Sequence, residues 1–268
     1  MPQVNVNGID LYYEDRGRGE PLVLIQGFGG RHGWFCQVRA FSKRYRVIIF
    51  DNRGIGKTQE SGEPYTIRTM AADTVGLMDH LGLERAHILG VSLGGMVAQE
   101  VAINYPDRVD KLVLASTTAE GGFRAADLKM LEAIGLREGF DGVDLGSLDY
   151  DRFLRVMTSL SFNRRLYRLF VVLFSRVATK LGGGQGHARQ VAAIMGHNTL
   201  DRLHLVQAPT LVITGAEDRV ISPYSSDLIA SRVPNARLVK VEGGSHTFRI
   251  EMSRRFNAEV LAFLGEAR

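Results

Sequence analysis

Apolar and polar positions alternate through the first fifteen residues, over Gln3 to Asn7 and again over Leu11 to Asp15, with Asn7-Gly8 between the two segments. Period-two alternation predicts strands, and an Asn-Gly pair between them predicts a tight antiparallel hairpin. Beyond residue 20 the alternation gives way to near-continuous apolar runs: Leu22 to Ile25, Arg46 to Phe50, His87 to Leu89, Leu112 to Ala115, Thr210 to Thr214 and Ala236 to Val241. Strands apolar on both faces belong to a parallel sheet covered on both sides. Helical periodicity fills the intervals, over Arg31 to Lys43, Thr66 to Leu81, Gly94 to Asn104, Ser222 to Arg232 and Ser253 to Phe263. Regular alternation of strand and helix predicts a doubly wound α/β fold.

The alternation breaks between Thr118 and Leu205, where the chain is helical in pattern and rich in Leu, Phe, Met and Arg. The simplest organisation is a core built from residues 1–118 and 206–268, with residues 119–205 inserted as a helical cap. Such a cap would lie over the carboxyl ends of the strands, the edge at which open α/β sheets bind ligands.

The chain has 268 residues, enough to bury a substantial core without covalent staples, and its single cysteine, Cys36, excludes an internal disulfide. Cys36 reads as a small buried residue, and the lack of disulfides suits a reducing, cytoplasmic compartment. The start, Met1 to Gly8, has neither a basic nor an apolar leader region, and the longest apolar run, Leu169 to Phe174, is too short to span a bilayer. The net charge of +4 says little about partners.

Chemistry concentrates in Gly90-Val91-Ser92-Leu93-Gly94-Gly95, which joins an apolar strand to a helical pattern. A G-x-S-x-G turn lifts its serine above the sheet on a strained bend and aims the following N–H, here that of Leu93, at an oxyanion on an attacked carbonyl. A serine hydroxyl needs a base to take its proton. His246 follows the last strand and the turn Glu242-Gly243-Gly244-Ser245, which brings it to the same sheet edge. The carboxylate behind it would be Asp218, after Gly215-Ala216-Glu217, although Asp218 could also cap the helix near Ser222 and Glu217 could supply the acid. The chain order Ser92, Asp218, His246 differs from that of trypsin-like and subtilisin-like proteases. A second oxyanion donor is expected in the turn Gln26-Gly27-Phe28-Gly29-Gly30, from the N–H of Phe28. The remaining histidines read as surface or core residues.

Four segments together resemble the α/β-hydrolase superfamily, and within it the group of esterases, enol-lactonases and cofactor-free haloperoxidases. They are Gln26-Gly27-Phe28-Gly29, Asp51-Asn52-Arg53-Gly54-Ile55-Gly56, Gly90 to Gly95, and Gly215-Ala216-Glu217-Asp218 with Gly244-Ser245-His246. The resemblance implies a mostly parallel eight-stranded sheet with a helical cap, a Ser92-His246-Asp218 triad, and no metal or organic cofactor. It also implies that Arg53 anchors loops near the site without touching the chemistry. One departure stands out: Gln26-Gly27 replaces the family's usual His-Gly, and a glutamine amide offers both a donor and an acceptor in its place.

Gly56-Lys57-Thr58 imitates the end of a phosphate-binding loop, but Asp51 stands where that pattern needs glycine and Gln59 to Pro64 reads as loop. Gly182-Gly183-Gly184 reads as a turn within the cap. From Arg152 to Arg189 every charged residue is basic, with Phe and Leu interleaved. This stripe is either a solvated outer face or, at one or two positions, a clamp for an anionic substrate group. No nucleic-acid motif accompanies it. The function expected from all of this is a serine hydrolase acting on a small carboxylic ester or lactone, with no nucleic-acid or membrane partner and a homo-oligomer left open. The same motifs would serve a carbon–carbon bond hydrolase or a perhydrolase, and a slow-turnover ligand receptor of this fold would keep the triad.

Overall fold

The Asn7-Gly8 pair turns the chain as its alternation predicts. β1 (Gln3–Val6) and β2 (Ile9–Arg16) run antiparallel with Val6 opposite Ile9. Asn7 (φ 48°) and Gly8 (φ 78°) are both left-handed, as a two-residue hairpin that follows strand twist requires. These strands belong to a computed structural model that describes residues 2–30, 33–121, 160–163 and 185–266.

Six further strands follow: β3 (Glu20–Ile25), β4 (Tyr45–Phe50), β5 (Ala86–Val91), β6 (Val109–Ala115), β7 (Thr210–Gly215) and β8 (Ala236–Val241). All eight form one sheet in the order β1-β2-β4-β3-β5-β6-β7-β8. β2 pairs antiparallel with β4, and every pairing from β4 to β8 is parallel. The strands sit where the apolar runs place them, extended by a few residues at their ends.

Alternate side chains of the central strands feed two cores. Val23, Ile25, Ile88, Leu112 and Leu114 pack on one face with α2 (Ile67–His80), α3 (Leu93–Asn104) and α5 (Pro223–Arg232). Leu22, Leu24, Leu89, Val113 and Ile213 pack on the other with α1 (Phe35–Phe41) and α7 (Ser253–Gly265). This two-sided burial is why the strands read as continuous apolar runs. α2 begins where its sequence signals it, because the Thr66 hydroxyl accepts the Thr69 N–H while Thr69 answers the Thr66 N–H. The short helix α6 (Phe248–Glu251), which the periodicity did not predict, leads into α7.

Of the expected cap, the described parts are 119–121, 160–163 and 185–205, which include α4 (Gln185–Met195) and a 3-10 turn over Leu200–Leu205. The basic stripe from Arg152 to Lys180 and the glycines at 182–184 lie outside the described residues. Arg189, the one member of the stripe inside them, donates to Glu60 Oε1 at 3.0 Å, to the Ser61 carbonyl, and to the Gly62 carbonyl at 3.1 Å, so it grips the 60–62 loop. That loop carries no helix, as the pattern from Gln59 to Pro64 predicts. Among the described residues no helix is long and apolar enough to cross a membrane.

Candidate active site at the carboxyl edge of the sheet

The sheet order determines which loops meet. β3 sends the chain to β4 on one side, and the chain returns to place β5 on the other, with Ile25 opposite Gly90. The loops leaving β3 and β5 are therefore neighbours at the point where strand order reverses, the usual place for a ligand crevice.

The loop after β5 carries Ser92 at φ 54° and ψ −121°, a conformation that a residue with a Cβ seldom adopts without support. Its glycines supply that support by close backbone packing. A Cβ on Gly90 would collide with the Gly94 carbonyl, and one on Gly94 with the Ile25 carbonyl. The Ser92 carbonyl accepts from Gly95 N at 2.8 Å, Met96 N at 3.2 Å and Thr117 Oγ1 at 2.7 Å, which locks the bend to both the helix and the loop after β6. Ser92 itself remains half-exposed. Leu93 is the first residue of α3, so its N–H has no intrahelical carbonyl to bond.

The turn after β3 lies against this bend: a Cβ on Gly27 would sit 3.3 Å from that of Ser92. The turn closes through Gly30 N to the Gly27 carbonyl at 3.2 Å. From α4, Gln190 Oε1 accepts the Gly29 N–H at 3.0 Å, and His187 meets the Phe28 ring edge-on at 5.7 Å. Gln26 is buried. Its carbonyl accepts from Asn52 Nδ2 at 2.9 Å, and its side-chain Oε1 accepts from Arg249 Nη2 at 3.2 Å.

The other half of the edge comes from β7 and β8. Their loops are bonded backbone to backbone, Ala216 N to the Val241 carbonyl at 2.9 Å and Glu217 N to the Gly244 carbonyl at 2.8 Å. His246 Nδ1 lies 2.8 Å from Asp218 Oδ2, and both residues are buried. The other carboxylate oxygen accepts the Val220 and Ile221 N–H groups, each at 2.9 Å. A carboxylate in this setting only accepts, so Nδ1 carries the proton and Nε2 is left as the basic nitrogen. Glu217, the competing carboxylate, accepts instead from Asn163 Nδ2 at 2.9 Å. Asp218 folds its own turn, and Ser222 caps α5.

Sequence reasoning did not anticipate the bonds that pin the histidine loop. Thr247 donates to the Ser161 carbonyl through both N (3.1 Å) and Oγ1 (2.6 Å), while the Ser245 hydroxyl bonds the Glu251 carboxylate. Nor did it anticipate Gln190 or Arg249, because no local spacing marks a residue whose partner lies more than a hundred positions away. Among the described residues Ser92 Oγ makes no hydrogen bond to His246. Arg53 forms a buried, two-pronged ion pair with Asp73 at 2.7 and 2.8 Å, which ties the loop after β4 to α2.

Similarity to known proteins bears on this arrangement. A relative in Azorhizobium caulinodans, provisionally named carbamate hydrolase RutD, is 28% identical over 99% of each chain. One in Mycobacterium tuberculosis, provisionally named non-heme bromoperoxidase BpoC, is 32% identical over 97% of this chain and 99% of its own. The crystal structure of the enol-lactonase from Burkholderia xenovorans LB400 superposes with a TM-score of 0.82 at 27% identity, covering 99% of this chain and all of that one. The family described as alpha/beta hydrolase fold matches residues 20–251. With that match, an eight-stranded sheet of this order and a serine at its strained β5–α3 bend, the chain belongs to the α/β hydrolase family.

Proposed function

We propose that this protein is a serine hydrolase of small carboxylic esters or lactones, with Ser92, His246 and Asp218 as its triad. The observation that carries the reading is the 2.8 Å bond between His246 and a buried, fully engaged Asp218, at the edge where Ser92 is held at positive φ. The enol-lactonase likeness supports a lactone or simple ester as substrate.

In the acylation step the Ser92 hydroxyl attacks the carbonyl carbon and its proton passes to His246 Nε2. The Ser92–His246 bond forms as substrate fills the site, a tightening common on passing from the free enzyme to the complex. Asp218 holds the imidazole in orientation and stabilises its transient positive charge. The N–H groups of Leu93 and Phe28 receive the oxyanion. Collapse of the tetrahedral intermediate breaks the carbon–oxygen bond to the leaving alcohol, which takes the proton from His246. Water then attacks the acyl-enzyme, gives its proton to the same nitrogen, and releases the acid and free Ser92. We read residues 119–205 as an inserted cap of the enzyme, and nothing in the scheme requires a metal or an organic cofactor. We place the enzyme in the cytoplasm.

The test is burst release of p-nitrophenol from p-nitrophenyl esters, with covalent labelling by a phosphonate, in the parent and in Ser92→Ala. The variant should lose the burst and the label, and its kcat should fall by about 10⁶-fold. Parental turnover in Ser92→Ala would overturn the mechanism. The carbamate-hydrolase name supports a second substrate for the same chemistry. Ammonia release from a carbamate, at a kcat/KM above that of any ester or lactone in the same panel, would favour it.

A further inference from the structure

Two arginines are buried among the described residues, and they are held differently. Arg53 faces the Asp73 carboxylate. Arg249, 5% exposed, has no ion pair with any described carboxylate. Its guanidinium spends its donors on neutral oxygens: Nη1 on the Gly33 carbonyl at 2.6 Å and on Gln37 Oε1 at 3.4 Å, Nη2 on Gln26 Oε1 at 3.2 Å. Its flat face covers the Trp34 ring at 4.4 Å. Desolvation holds this guanidinium down to about 10. A buried cation with no counter-ion among the described residues costs stability, and its presence calls for a role that apolar packing would not fill.

The role follows from where its partners lie. Gln26 is folded back inside the turn that it begins, since a Cβ on either Gly30 or Gly33 would run into the Gln26 amide. Gly30 and Gly33 both lie against that amide. Arg249 grips the loop at both ends, at Gln26 where it leaves β3 and at Gly33 where it approaches α1. It reaches across from α6, three residues beyond His246. One side chain therefore joins the loop proposed to hold the oxyanion to the loop that carries the proposed base.

We propose that Arg249 is the positioning residue of the oxyanion loop, bracing it through Gln26 and Gly33 so that the Phe28 N–H faces the oxyanion formed at Ser92. The assignment rests on the serine-hydrolase reading above. It also accounts for Gln26: a glutamine offers the guanidinium an oxygen acceptor, whereas an imidazole offers at most one ring nitrogen and, once protonated, none. Lysine at 249 would keep the charge but lose the planar fork that spans separated acceptors.

The test uses Arg249→Met and Arg249→Lys, each assayed at a temperature where circular dichroism shows it folded. Because the oxyanion contact strengthens in the transition state, misaim of the loop should lower kcat and leave KM within about twofold. Arg249→Met should lose about 10²-fold in kcat, the scale of an ångström-sized misplacement, and Arg249→Lys about 10-fold. Phosphonate labelling of Ser92 should slow in parallel. Amide exchange followed by mass spectrometry should quicken in the peptide covering residues 26–34 and remain parental in α3. Parental kcat in both folded variants, or unchanged exchange over 26–34, would overturn the proposal. If Ser92→Ala turns over at the parental rate, the serine mechanism fails instead, and the exchange measurement alone then decides whether Arg249 braces the loop.

Discussion

The two halves of the proposed catalytic edge are built by different means. At β3 and β5 the geometry comes from the main chain: glycines at 90 and 94 let backbone meet backbone, and Ser92 is forced to φ 54° by what surrounds it. At β7 and β8 backbone bonds join the two loops, and side chains then set the direction of the imidazole and its surroundings: Asp218 on His246, Glu217 on Asn163, Thr247 on Ser161 and Ser245 on Glu251. Main-chain constraint fixes a nucleophile to one position with few partners to lose. Side-chain constraint distributes the positioning of the proposed base over several bonds, two of which reach Ser161 and Asn163 of the segment between β6 and β7. The first half should respond to substitution in an all-or-none way and the second by degrees, with Arg249 as the link between them.

Substitutions in the second half sharpen this contrast. After Ser92→Ala, the largest loss is expected from Asp218→Asn, about 10⁴-fold in kcat, because an amide can present its N–H to Nδ1 and favour the wrong imidazole tautomer. Steady-state kinetics on the best ester would show it. If Asp218→Asn were mild and Glu217→Ala severe, the assignment of the two adjacent carboxylates would be reversed. Arg249→Met comes next at about 10²-fold. Glu217→Ala removes one acceptor for Asn163, worth about 0.5–1.5 kcal/mol net, or about 2- to 10-fold in kcat/KM. That loss should fall mainly on KM, because Asn163 belongs to the inserted segment and not to the reacting groups.

The smallest effect lies outside both halves. Burial pushes the His197 imidazole down from 6.5 to about 4, with Arg202 adding to the shift and Glu100 opposing it. The unfolded chain takes up a proton between those two values that the folded protein refuses. Stability should therefore fall as pH drops from 6.5 towards 4 and this contribution should level off below that. Burial lowers the pKa of His87 in the same direction. His197→Gln should flatten the fall of Tm over that window by several degrees, since a shift of this size is linked to at most about 3 kcal/mol. Its kcat at neutral pH should remain parental, which differential scanning fluorimetry and a single rate assay would check.

The Ser92 bend was legible because the glycines that permit it lie within six consecutive residues, and their spacing is itself the physical requirement. The strands were legible because burial on both faces leaves no polar alternation to misread. Position in the chain favoured Asp218 over Glu217 as the partner of His246 without deciding between them. Both follow β7, and only the direction in which the turn presents each side chain sends one to His246 and the other to Asn163. The departure at Gln26 was visible as a departure, but its meaning waited for Arg249, a residue 223 positions away.

Local chemistry by itself determined the architecture, the strained serine and the loops that could supply a base and an acid, because hydrophobic period, turn glycines and strand endings are properties of neighbouring residues. The tertiary structure alone decided which carboxylate faces the imidazole, what holds the turn after β3, and where Arg189 points. Those outcomes depend on the order in which strands lie side by side and on which polar groups find partners once water is excluded, and neither is encoded in any short stretch of chain.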